Sequence, residues 1–156
     1  MDAATAVPLS DQDDRLYPAR PILAVSTAVF REGLVLIAQR AQAPWRGAYS
    51  LPGGVVEVGE TLETAAAREL YEEVGVEADI THFVEHVEPI SRDGERVRAH
   101  FVIAVFAARW RRGEPQPSAE VDAVLWADPL AIDDLPTTPE LPRIVAKAAA
   151  LVEFAP

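Results

Sequence analysis

The stretch Gly53–Val76, GGVVEVGETLETAAARELYEEVGV, constrains the fold more than any other part of the chain. It reads as a loop, then a helix, then a glycine stop. Thr61 suits the N-cap, Glu63 suits the positive end of the helix dipole, and Gly75 can take the left-handed conformation just past the helix end. Leu62, Ala66, Leu70 and Val74 recur every four residues and predict a buried stripe. Glu69, Glu72 and Glu73 stand at i, i+3 and i+4, so their carboxylates crowd one adjoining face. Like charges at that spacing repel by a few tenths of a kcal/mol in water, and by more when enclosed. A divalent cation removes that conflict, and Mg²⁺ or Mn²⁺ prefers such hard oxygen ligands. A plain solvated acidic face is the alternative reading of Glu72-Glu73.

The spacing of Gly54, Glu60, Arg68, Glu69, Leu70, Glu72, Glu73, Gly75 and Val76 resembles the Nudix box, G-x5-E-x7-R-E-U-x-E-E-x-G-U, where U is apolar. Every specified position matches. At an average usage of about 5–7% per residue type, chance gives such a match in fewer than about one in ten million chains of this length. The resemblance implies a Nudix fold and Mg²⁺-dependent hydrolysis of a nucleoside diphosphate linked to another group, with Mn²⁺ as a substitute.

Around this segment the chain alternates strands and turns. ILAVSTAVF, the turn REG and LVLIAQR read as a hairpin, and a loop, AQAPWRGAYSLPGG, leads into the box. Two strands are expected at about 80–89 and 97–110, with the Asp-Gly turn of SRDGERV between them. HFVIAVFAARW is almost continuously apolar, as for a strand covered on both faces. The expected architecture is therefore α/β (α+β), an α/β/α sandwich with a mixed sheet between helices. AVLWA supplies a further strand and DPLAIDDL a short helix or turn. Thr138-Pro139 has the form of an N-cap and first helical position, and Leu141, Ile144, Val145, Ala148 and Val152 form the apolar side of a last helix. Residues 1–18, polar and acidic, read as a loose tail, and 19–156 as one domain.

The resemblance also assigns roles. Glu72 and Glu73 match the core metal ligands of the family. Glu69 is a further ligand or the base that activates water, the carbonyl of Gly53 completes the coordination, and Glu60 contributes in some members. Arg68 steadies the carboxylates by ion pairing. One more acidic residue is expected from a downstream loop; Glu120, six residues before Trp126, is the candidate and Glu114 the runner-up. Glu69, Glu120 and Arg68 thus form the expected catalytic set. Arg40 stands where such proteins often carry a phosphate-binding arginine, against the alternative of a solvated strand end. Trp45 and Tyr49 are candidates to stack a nucleobase. The flanking segments resemble a compact ADP-ribose pyrophosphatase-like branch, so ADP-ribose or a similar derivative is the expected substrate. A MutT-type triphosphate activity, for instance on oxidised dGTP, is the alternative. A non-catalytic sensor is disfavoured, because no box glutamate is missing.

Composition narrows the rest. A net charge of −11 argues against broad adhesion to nucleic acid or anionic membrane. The start MDAATAVPLSDQDD lacks the basic and apolar segments of a secretory signal, so the cytoplasm is the expected location. There is no cysteine, which excludes disulfides and thiol chemistry. His82 and His86, four apart in an expected strand, lie about 13 Å from each other and cannot share one ion unaided. Arg109, Arg111 and Arg112 could meet a phosphate or simply end a strand in solvent. A homodimer is left open.

Overall fold

A computed structural model describes residues 15–153. In chain order these form β1 (Ile22–Arg31), β2 (Leu34–Arg40), β3 (Tyr49–Ser50), β4 (Gly53–Val55), α1 (Leu62–Val74), β5 (Glu77–Val87), β6 (Ile90–Asp93), β7 (Arg96–Arg112), β8 (Val121–Ala127), a 3₁₀ turn at Ile132–Asp134 and α2 (Leu141–Glu153).

The strands make one mixed sheet of eight, with the path β3-β2-β1-β7-β5; β4 adds to β1, β6 to β7 and β8 to β2. β1 and β7 run parallel from Ile22 opposite Phe101 to Phe30 opposite Arg109. The other strand pairs are antiparallel. The β1–β2 hairpin closes through Glu32 and Gly33, both at positive φ (51° and 79°), the geometry that matches strand twist in a two-residue turn.

Period-two alternation sorts the side chains onto two cores. Val29, Leu36 and Ala38 face Leu70 and Val74 of α1. Ala28, Phe30, Val35 and Ile37 face Leu141, Ile144, Val145 and Ala148 of α2. The middle of β7, Ala104–Ala108, is buried throughout, as its unbroken apolar run requires of a strand covered on both sides. The α/β/α arrangement follows. Leu70 is 1% exposed, and cutting it to alanine costs about 2–5 kcal/mol. Among the described residues no helix is long and apolar enough to cross a membrane.

Several local expectations need correction. The segment 41–54 is not all loop, since β3 and β4 form within it and take backbone partners from β2 and β1. β6 adds a short strand on the near side of the Asp93-Gly94 turn. α2 begins at Leu141 rather than at Pro139, because Glu140 sits at φ 75° and cannot belong to a helix. Pro142 then falls in the first turn, where its missing N–H has no helical partner to lose. On α1, Ala65 joins the buried stripe and Leu62 is only half-buried. Of the expected tail, residues 1–14 lie outside the described residues. Its end is fastened: Tyr17 donates its N–H to the Arg98 carbonyl (2.8 Å) and its hydroxyl to Asp93 (2.7 Å).

Candidate active site

β2 leaves β1 after only two residue pairs, Phe30–Val35 and Arg31–Leu34. The first half of the same β1 edge is therefore free, and β4 fills it, Val55 against Ala24, Gly54 against Val25 and Gly53 against Ser26. The two glycines are required by close approach. A Cβ on Gly53 would strike the Val25 carbonyl oxygen, and one on Gly54 would strike the carboxylate of Glu69. α1 is held at both ends as the sequence implies. Thr61 Oγ1 accepts from the Thr64 N–H at 3.1 Å, and Gly75, at φ 74°, returns its N–H to the Tyr71 carbonyl. Its polar face thus lands on the β4 backbone, where the Gly53 N–H donates to Glu73 Oε2 at 3.1 Å.

Arg68 ties the carboxylates to one another. Its Nε and one Nη donate to both oxygens of Glu60 (3.0 and 2.5 Å), and the same Nη reaches the Val55 carbonyl (3.1 Å). The other Nη donates to Glu69 (2.8 Å) and Glu72 (3.2 Å). Hydrogen bonding to Arg68 holds the Glu60 carboxyl below the usual carboxylate range, helped by the Glu57 N–H. Glu69 is shifted the other way: burial raises it, outweighing Arg68, and the charges of Glu72 and Glu120 add to the rise. Glu73 is pushed up to about 7, by burial first and then by Glu120 and Glu69, against the lowering effects of the Gly53 N–H and Arg40. Glu69, Glu73 and Glu120 therefore share one electrostatic neighbourhood, and Arg40 faces it.

The chain brings the downstream residues there through backbone ties. Arg40 pairs with Val121 across a bulge, and the Ala41 N–H donates to the Glu120 carbonyl at 3.1 Å. Glu114 is elsewhere, pairing with Arg31 at 2.8 Å at the far end of β1. Trp45 stands 57% exposed on the loop after Arg40. Tyr49 is not gathered with the glutamates. Its ring packs with the α2-side core, because it lies opposite Gln39, whose neighbours Ala38 and Arg40 point to the other face. Arg109 reaches the Val152 carbonyl (3.4 Å), Arg111 reaches Asp79 (3.4 Å) and Arg112 pairs with Glu77. His82 meets Thr81 and His86 meets Glu88, so the two rings have separate partners.

The donor set suits a hard divalent cation: half-buried, mutually repelling carboxylates with a glycine backbone alongside. Among the described residues no three acidic or histidine side chains close into a finished cage, and Arg68 occupies oxygens of Glu60, Glu69 and Glu72. Two surface hollows are lined by none of these glutamates. One, of about 520 Å³, is bordered by Leu62, Phe83 and Phe106; the other, of about 410 Å³, by Arg31, Arg109 and Trp110. Sequence reasoning missed the part played by Gly54 as the seat of the Glu69 carboxylate, and the loop contacts of Gln39. The spacing of the box holds the glycine but not its contact, and nothing in the local pattern marks Gln39.

The NUDIX domain profile matches residues 20–148. The chain belongs to the Nudix family. An ADP-ribose pyrophosphatase of Methanocaldococcus jannaschii is 32% identical over 108 residues, covering 68% of this chain but only 63% of that protein. A MutT-like protein of Streptomyces ambofaciens is 31% identical over 122 residues, 78% of this chain and 73% of that one. Among solved structures, a MutT NUDIX hydrolase from Burkholderia pseudomallei superposes with a TM-score of 0.71 at 29% identity, over 82% of this chain and 98% of that one. In this chain the Nudix box is the β4–α1 segment just described, with its arginine at the centre of its glutamates.

Proposed function

We propose that this Nudix protein is a pyrophosphohydrolase that cleaves the diphosphate bond of a nucleoside diphosphate derivative, ADP-ribose or a close relative, with Mg²⁺ or Mn²⁺. The observation that carries the reading is the gathering of Glu60, Glu69 and Glu72 on Arg68, with Glu73 held by the Gly53 N–H and the Glu69 carboxylate seated against Gly54. Glu72, Glu73, Glu69, Glu60, Glu120 and the Gly53 carbonyl would hold the cation. Bound there, it would neutralise phosphate oxygens and acidify a water. The chain's own groups do the rest. Arg68 fixes the glutamates, Arg40 receives phosphate charge, and Glu69 or Glu120 takes a proton from the water that attacks phosphorus. The P–O bond to the leaving phosphate breaks, giving AMP and ribose 5-phosphate.

The likeness to the archaeal ADP-ribose pyrophosphatase over 68% of the chain supports this substrate class. A nucleoside triphosphate such as oxidised dGTP is the second reading, favoured by the likeness to the MutT-like protein over 78% of the chain. A hydrolysis screen with Mg²⁺ and Mn²⁺ tests both. ADP-ribose should show the highest kcat/KM, and ¹⁸O from labelled water should appear in a phosphate group rather than on the sugar. A tenfold preference for dGTP or its oxidised form transfers the assignment to the second reading. No cleavage of any diphosphate or triphosphate would overturn both.

A further inference from the structure

The loop that joins β2 to β3 is built more tightly than hydrolysis alone requires. Its neck is laced by the backbone: the Arg40 N–H donates to the Ala48 carbonyl (2.9 Å), Gly47 returns its N–H to Arg40 (2.8 Å), and Ala48 donates to Trp45 (3.0 Å). Two side chains of β2 add to this. Gln39 Nε2 donates to the Gly47 carbonyl at 3.0 Å, and Arg40 Nε donates to the Pro44 carbonyl at 2.8 Å. At the crown sits Trp45, at φ 64° and 57% exposed. A residue with a Cβ resists positive φ, and a large indole left in water forgoes burial. A backbone that enforces both is holding the ring out for a contact. The direction of that contact follows from Arg40. The residue that grips Pro44, just before Trp45, pairs through its backbone with Val121, and the next N–H, that of Ala41, donates to the carbonyl of Glu120 at 3.1 Å. A nucleotide joins its base to its phosphates through one ribose, and so can span these two points.

We propose that the 41–48 loop is a fixed platform that stacks the substrate's nucleobase on Trp45, and that Gln39 is the positioning residue that locks it. Arg40 is shared between the two ends, its Nε holding the loop and its Nη nitrogens left for phosphate. This rests on the reading above that a nucleotide binds beside Glu73. Gln39 touches neither base nor phosphate; it acts through the Gly47 carbonyl.

The test separates base recognition from chemistry. AMP and GMP binding is measured by calorimetry with ribose 5-phosphate as the base-free control. Kinetics are measured on ADP-ribose and dGTP, with 5-phosphoribosyl 1-pyrophosphate as the base-free substrate. Trp45→Ala and Gln39→Met should each weaken nucleotide binding and raise KM about tenfold at unchanged kcat, the lower part of the range for losing one stacked base. Base-free binding and turnover should not change, and Trp45→Phe, which keeps a flat face, should recover most of the affinity. Equal losses on base-bearing and base-free compounds would overturn the proposal. So would a wild-type protein that binds neither AMP nor GMP, or nucleotide binding indifferent to Trp45→Ala. If no substrate is cleaved, the hydrolase reading fails on its own, and the AMP and GMP titrations still decide whether Trp45 stacks a base.

Discussion

The two faces of the sheet carry charge in opposite ways. Under α2, the Glu85 carboxylate meets Arg143 at 2.6 Å and Lys147 at 3.7 Å, and Glu140 pairs with Arg143 at 2.6 Å. Two carboxylates face two cations, and hydrogen bonding to Arg143 holds Glu85 below its ordinary range. Under α1, Glu60, Glu69, Glu72, Glu73 and Glu120 share Arg68 and Arg40, and the innermost groups, Glu69 and Glu73, are raised. A balanced cluster is already at rest and serves the fold. An unbalanced one, half withdrawn from water, stores a demand for positive charge that a ligand can meet. The same residue types are thus matched by cations on one face and left in excess on the other. Burial and the ratio of partners decide which.

The sharpest way to break this contrast is Glu73→Gln. Removing one of the crowded carboxylates should leave the fold intact, since it relieves repulsion, yet cut Mg²⁺-dependent turnover by at least about a hundredfold. Near-normal activity in that variant would sink the metal assignment. Next in size is the pair Glu120→Gln and Glu114→Gln. Glu120 shares the field of Glu69 and Glu73, so its neutralisation should lower kcat by about tenfold or more while altering KM less. Glu114 is bound to Arg31, and its variant should be nearly silent. The reverse result would move the outer acid to Glu114, and two silent variants would leave Glu69 as the base.

The pH dependence of stability sharpens the contrast further. Without divalent cation, Glu73 has a folded pKa of about 7 against an ordinary 4.5, so between those values the folded state holds more protons than the unfolded one. Its contribution is most favourable below pH 4.5, declines as pH rises toward 7 and then levels, a span of about 3 kcal/mol. Denaturant unfolding of wild type and Glu73→Gln at pH 5 and pH 8 should show that the wild type loses more stability over this rise than the variant does, and added Mg²⁺ should restore wild-type stability at pH 8. Glu85 carries the opposite sign: its depressed pKa gives stability that is present at neutral pH and lost on acidification. The smallest effect belongs to Arg143→Gln, an exposed partner in that balanced cluster. A slight drop in Tm near neutrality, vanishing at acid pH, should come with unchanged kcat and KM. A large loss of activity there would show that the α2 face is not the passive one.

Much of this was legible in the chain. Thr61, Gly75 and the four-residue recurrence through Leu70 define α1 because caps and periodicity are local properties, complete within one helix. The strand runs of β1, β2 and β7 show in their apolar patterns, which record burial on one face or both. The helix geometry alone crowds Glu69, Glu72 and Glu73. Other features depend on partners far along the chain. β3 and β4 carry too few residues for any pattern; β4 exists because β2 diverges and leaves part of the β1 edge open, and β3 because it finds Ala38 and Gln39 of β2 to pair with. Thr138-Pro139 has the form of a helix start, but Glu140 at positive φ moves that start to Leu141. Tyr49 and Trp45 look alike as aromatics near the box; strand register sends one into the core and loop geometry leaves the other in solvent. Glu114 and Glu120 are both acidic residues of one loop, and only the packing of β8 on β2 decides which stands beside Glu73. The sequence by itself determined the helix, its caps and the acidic face it presents, since those follow from the backbone within one turn. Which carboxylates are buried together, and so which are driven out of their ordinary charge state, was decided only by the tertiary structure, because desolvation and repulsion depend on distances that no local spacing sets.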